Sequence, residues 1–85
     1  MEKEILTIFN KCNQVVDVEL DYDDTSYDYD FLVTLKNNQN VYKTIFQLSF
    51  LIECLNLSVH TLYEQISDNI KENEEYIIID FYISK

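Results

Sequence analysis

Residues 16–24 read VDVELDYDD, a stretch in which apolar and acidic side chains alternate. An alternation with a period of two predicts a strand that is buried on one face only. We therefore predict a strand over 15–23 whose outer face carries a row of carboxylates. The apolar residues, expected to face the core, are Val16, Val18, Leu20 and Tyr22, and the acids, expected to face solvent, are Asp17, Glu19, Asp21 and Asp23.

The same alternation returns in SYDYDFLV, residues 26–33. It predicts a second strand over 27–36, which is joined to the first by a turn over 23–26. One face of this strand carries Tyr27 and Tyr29, followed by Phe31, Val33 and Leu35, and the other carries Asp28 and Asp30. Pairing of the two strands would gather seven acids, with no base among them, into one acidic hairpin face: Asp17, Glu19, Asp21, Asp23, Asp24, Asp28 and Asp30.

The remaining patterns surround this hairpin with helices and one more strand. Apolar residues at helical spacing predict a helix over 2–12, and the run YIIIDFYIS predicts a strand over 76–84 inside the sheet. Residues 41–48 alternate like a third strand, which is the interpretation we favour, although they could equally begin a helix. Helices are predicted over 49–55 and from Ser58, interpreted as an N-cap, to about residue 70, with Thr61 and Glu64 as a capping box if this second helix begins later. We predict one α+β domain over 1–85: an N-terminal helix, a β-meander of two or three strands, a helical hairpin and a C-terminal strand added to the sheet.

Charge is the strongest global feature of the chain. Sixteen Asp and Glu stand against six Lys and no Arg, which gives a net charge of −10. Phosphate binding needs clustered Lys or Arg, so direct binding of nucleic acid is not expected, and anionic membrane surfaces should repel the chain. Its expected partners are basic protein surfaces. The N-terminus does not have the pattern of a signal peptide, so we predict a cytoplasmic protein with reduced, buried Cys12 and Cys54.

Motifs for metal binding, DNA reading and catalysis are weak. The acids of DYDDTSYDYDFL fail as an EF-hand loop because Ser26 stands at the glycine position and Leu32 at that of the bidentate Glu. The stretch FLIECLNLSVHTLYEQI, residues 50–66, resembles a helix-turn-helix, but its second helix carries no Lys or Arg. A single histidine, His60, and the absence of glycine-rich loops give no catalytic set. We predict no enzyme activity, no cofactor and no metal.

The small size, the acidity and the motifs VDVELDYDD and SYDYD resemble those of small acidic inhibitors that phages carry against host defence, such as anti-CRISPR proteins and other DNA mimics. The resemblance implies a binding-type inhibitor that occupies the basic groove of a CRISPR effector or another nuclease in the host cytoplasm. Alternatives are an immunity protein or antitoxin against a basic toxin, and a structural module that dimerises through an exposed β edge, for example over 41–48. The chain would be a monomer or a homodimer. The expected contact residues are the acidic hairpin face with Tyr27 and Tyr29, and a second acidic patch of Glu72, Glu74 and Glu75.

Overall fold

The computed structural model describes residues 1–20, 27–60 and 75–85. Within these ranges the chain forms an α+β domain. The elements are α1 (Glu2–Asn10), β1 (Val15–Leu20), β2 (Tyr29–Lys36), α2 (Val41–Glu53), β3 (Ser58–Val59) and β4 (Tyr76–Ser84).

The described strands form an antiparallel sheet in the order β1-β2-β4-β3. The C-terminal strand β4 is central and pairs with every residue of β2, from Tyr29 opposite Ile83 to Lys36 opposite Tyr76. The predicted position of this strand inside the sheet is therefore confirmed. Its two faces differ, however, because Ile77 and Ile79 are buried whereas Ile78 is half exposed.

The core lies between one face of the sheet and the two helices. Phe9 of α1 is fully buried, and its ring lies 5.6 Å from that of Phe31 on β2 and 5.1 Å from that of Phe81 on β4. Such tilted and edge-on pairs are favourable beyond the area that they bury. α2 completes the layer with buried side chains at helical spacing, Val41, Thr44, Ile45, Leu48 and Ile52.

The strand predicted over 41–48 is wrong, because these residues belong to α2. Both periods are present in the sequence, and the helical one continues for longer, since Val41, Ile45, Leu48 and Ile52 recur every three or four residues. The sheet also leaves no position for this segment next to β2, whose two neighbours are β1 and β4. Residues 41–48 therefore provide no β edge for a dimer, whereas dimerisation through another β edge stays a prediction.

The helix predicted to begin at Ser58 is also wrong at its start. Ser58–Val59 is a short strand that pairs with the end of β4, Ser58 with Ser84 and Val59 with Ile83. α2 ends before it, and Asn56 adopts a positive φ of 62°, a conformation that asparagine tolerates better than most residues. The helix-turn-helix interpretation therefore lacks a second helix that starts at Ser58, and the alternative start at Thr61 lies outside the described residues. The rest of the predicted helix, residues 61–70, and the turn over 23–26 lie outside the described residues.

Strand β1 contains an irregularity that the simple alternation did not predict. The register shifts between Val15, opposite Leu35, and Asp17, opposite Thr34. Val16 is the extra residue of this bulge, and about half of its surface is exposed instead of packing in the core. Beyond the bulge the predicted alternation holds, with Val18 and Leu20 half-buried and Asp17 and Glu19 exposed.

Candidate functional site

Two exposed acids of the predicted acidic face lie on β1, which is an edge strand of the described sheet. Asp17 and Glu19 both point to solvent. Their residue spacing corresponds to about 6.6–6.8 Å along the strand. The residues paired with them on β2 are Thr34 and Leu32, so no carboxylate of β2 lies directly opposite either acid. No ion pair among the described residues involves either acid, which leaves two like charges open to a partner.

The two acids near the start of β2 were predicted to belong to the exposed acidic face, but they differ in their accessibility. Asp28 is exposed, and one carboxylate oxygen accepts a hydrogen bond of 2.7 Å from the backbone N–H of Lys85, which fixes the C-terminus against the start of β2. Asp30 is only 4% exposed, so its carboxylate does not form part of the accessible surface. The acidic hairpin face is therefore accessible at Asp17, Glu19 and Asp28. Its other members, Asp21, Asp23 and Asp24, lie outside the described residues.

The second predicted patch and the two tyrosines are also only partly placed. Glu75 is exposed just before β4, and its backbone C=O accepts a hydrogen bond of 2.8 Å from the N–H of Asn37. Glu72 and Glu74 lie outside the described residues. Tyr29 is half-buried, and its ring stacks on Phe31 with the centroids 6.3 Å apart, so it belongs to the core face as predicted.

Tyr27 lies outside β2, which begins at Tyr29, and joins a cluster that the sequence did not predict. Its ring lies 4.9 Å from that of Tyr82 on β4 and 5.2 Å from that of His60, which follows β3. The backbone N–H of His60 donates to the C=O of Tyr82 over 2.7 Å, and His60 Nε2 lies 2.8 Å from Ser84 Oγ. In the sequence, the alternation of Asp80, Tyr82 and Ser84 indicates that these three polar side chains share one face of the last strand. Which residues they contact becomes apparent only from the strand order.

The contact between His60 and Ser84 has the distance of a nucleophile–base pair. Nucleophilic catalysis also needs a group that orients the base, and no hydrogen bond from a described residue reaches His60 Nδ1. The geometry is equally that of a hydrogen bond that closes the corner between β3 and β4. The contact therefore supports no reaction, and the absence of enzyme activity stays a prediction.

At the N-terminus, the carboxyl group of Glu4 has a lowered pKa. The ammonium of Met1 lies 3.1 Å from a carboxylate oxygen of Glu4. A backbone hydrogen bond at the start of α1 and this ammonium lower the pKa of Glu4 from its ordinary value of 4.5. Both groups are exposed, so this contact organises the first turn of α1 and does not form a binding site.

Neither cysteine is paired, and Cys54 is exposed at the end of α2, contrary to its predicted burial. No cluster of three or more metal-ligating side chains occurs within the described ranges. None of the helices that the structure describes is both long and apolar enough to cross a bilayer.

Comparison with known proteins adds no relative from which a function could be transferred. The chain matches no protein-family model, no curated protein and no solved structure. The functional argument therefore depends on the chemistry of the described surface.

Proposed function

We propose that this protein acts by binding a basic surface of another protein through the acidic edge of its sheet. The observation that carries the proposal is the pair of exposed carboxylates of Asp17 and Glu19 on the edge strand β1. Asp28 is also exposed, at the start of the neighbouring strand β2. A partner that presents Lys or Arg would supply the opposite charges that these acids lack within the described structure.

The physical argument for a partner is the uncompensated charge. The whole chain carries −10, and repulsion between like charges opposes the compact state. A basic groove built to hold phosphates would relieve this repulsion on binding and would attract the chain at long range. The target class that fits this chemistry is a nuclease or another nucleic-acid-binding protein. In that case the protein would act as an inhibitor that competes with nucleic acid, as its resemblance to small acidic anti-defence proteins suggests.

The test uses two variants that remove the same amount of charge from different places. Asp17→Asn with Glu19→Gln neutralises the sheet edge, and Glu2→Gln with Glu4→Gln neutralises the first turn of α1. Each protein is immobilised, exposed to a bacterial lysate at low salt and eluted in salt steps. A captured nucleic-acid-binding protein is then tested for displacement of a labelled oligonucleotide by each variant.

Wild-type protein is expected to displace the oligonucleotide, with an affinity that falls as salt rises. The sheet-edge variant should elute at lower salt and compete at least about tenfold less well, because charged pairs at interfaces cost about 2 kcal/mol or more when one partner is lost. The α1 variant should behave nearly like the wild type. Equal losses from the two variants would mean that only net charge matters, and the proposed role of the sheet edge would then be wrong.

A further inference from the structure

The outward side of α2 exposes more large apolar side chains than any other described element. Phe50 is 65% exposed and Phe46 59%, although the opposite side of the same helix is buried in the core. Tyr42 and Leu51 extend this exposed surface to either side. Single exposed apolar residues need no explanation, but a contiguous group of this kind marks an interaction surface.

Four residues along the centre of this side follow a coiled-coil spacing. Lys43, Phe46, Phe50 and Glu53 are separated by three, four and three residues, and we call them the outer stripe of α2. A three–four alternation keeps one seam of a helix facing a partner helix. The seam is short, since α2 has 13 residues and is about 20 Å long.

The outer stripe is complementary to itself when two copies run antiparallel. About a two-fold axis at the middle of α2, Phe46 of each copy meets Phe50 of the other. In the same register, Lys43 of each copy meets Glu53 of the other at the two ends of the seam. A parallel pairing would instead place Lys43 against Lys43 and Glu53 against Glu53, so the charges select the antiparallel arrangement.

The overall charge of −10 opposes association of two copies, but α2 itself contributes no net charge to this repulsion. Lys43 and Glu53 are the charged residues of α2, and their charges cancel. Asp17 and Glu19 belong to the sheet face opposite to the core layer that contains α2. Exposed charges separated by more than about 8 Å are largely screened at physiological ionic strength. Contact through α2 therefore keeps the acidic edges of the two copies apart and accessible.

We propose that the partner of the outer stripe is a second copy of this chain, which forms an antiparallel α2–α2 homodimer. The exposed parts of its two Phe side chains and their apolar neighbours amount to roughly 400 Å² per copy, given about 200 Å² for a whole aromatic side chain. A standard interface buries about 800 Å² per partner. The dimer is therefore weak and depends on concentration, with a dissociation constant in the micromolar range or above.

The test is sedimentation equilibrium of the whole chain over a wide range of concentrations, at low and at high salt. The wild type should dimerise, and more tightly at high salt, because salt screens the repulsion between two acidic copies. Phe50→Gln, which changes no charge at an exposed position, should weaken the dimer at least about tenfold. Circular dichroism of each variant would verify that the fold is retained.

Charge exchange tests the register. Lys43→Glu places two like-charge contacts in each dimer and should weaken it at least about threefold, as should Glu53→Lys. The double variant Lys43→Glu with Glu53→Lys restores both pairs and should recover the wild-type constant. Lys36→Glu changes the net charge by the same amount as Lys43→Glu but lies on β2. Compared at physiological or higher ionic strength, where an exposed charge outside the seam is largely screened, it should leave the constant within about twofold of the wild type.

A monomer at every concentration would overturn the proposal, as would a dimer that tolerates Phe50→Gln or a double variant without recovery. The outcome is independent of the proposed binding of a basic partner. That binding weakens as salt rises and depends on Asp17 and Glu19, whereas the dimer strengthens with salt and depends on α2.

Discussion

The two faces of the sheet are built from the same strands and yet differ in what covers them. On the inner face, Phe31 and Val33 are fully buried beneath the helices. On the outer face of β2, Leu32 and Thr34 are only half-buried. At one end of this outer face Tyr27, His60 and Tyr82 form a ring cluster. Alternation in sequence therefore assigns a side chain to a face, whereas the elements packed on that face decide whether it becomes core.

Strand β4 allows the sharpest test of this difference, because adjacent isoleucines point to opposite faces. Ile79 is 1% exposed and Ile78 is 49% exposed. Ile79→Thr should lower the free energy of unfolding by about 2–5 kcal/mol, since it leaves a cavity and buries a hydroxyl. Ile78→Thr keeps a β-branched side chain at an exposed position and should change it by about 0.5 kcal/mol or less. Urea denaturation of both variants measures the contrast, and losses of equal size would show that the outer face is also core.

The ring cluster should give an intermediate effect. Tyr27→Ala removes the ring contacts with His60 and Tyr82 and should lower the free energy of unfolding by about 1–3 kcal/mol. Tyr42→Ala is the matched control, because that ring is 44% exposed on α2 and should matter much less to the stability of a monomer. Chemical denaturation at a low protein concentration compares the two. A larger loss of stability for Tyr42→Ala than for Tyr27→Ala would show that the ring cluster does not stabilise the fold as predicted.

The smallest effect is expected at the N-terminus, away from both faces. Because the folded pKa of Glu4 lies below its ordinary value of 4.5, the carboxylate stabilises the fold above that pH, and the contribution disappears as the pH falls through the folded pKa. Glu4→Gln should therefore lower the denaturation midpoint slightly at neutral pH and not in strong acid.

Acetylation of the N-terminus provides the control for this small effect. It removes the ammonium that pairs with Glu4 but leaves the backbone hydrogen bond in place. The difference between the wild type and the Glu4→Gln variant should shrink after acetylation without vanishing. A difference that persists unchanged in strong acid would contradict the assignment to the ionised carboxylate.

β1 and β2 could be predicted because each alternates with a period of two, and β4 because it is a continuous run of β-forming residues, whereas the short strand β3 was not predicted. Both β2 and β4 begin within two residues of their predicted positions, and β1 follows its predicted alternation beyond the bulge. α2 could not be predicted in the same way, because residues 41–48 fit both periods and local sequence alone does not weigh them. The buried helical face that continues to Ile52 decides between them.

The residues of the candidate site could also be predicted only in part. The exposure of Asp17 and Glu19 followed from alternation, because an ionised carboxylate cannot be buried cheaply without partners. The burial of Asp30 did not follow, nor did the contacts of Tyr27, since both depend on strands that are distant in sequence. The exposed aromatic side of α2 was missed because the segment was predicted as a strand.

The sequence by itself determined the acidity of this protein, the α+β class, the central C-terminal strand and the outward row of carboxylates on β1. These features depend on composition and on short periods, which act locally along the chain. The tertiary structure alone decided that α2 has an exposed aromatic outer side, that Ser58–Val59 pairs with β4, and that Asp28 holds the C-terminus while Asp30 is buried. Each of these depends on which distant segments pack together, and packing is set by the sum of burial over the whole domain.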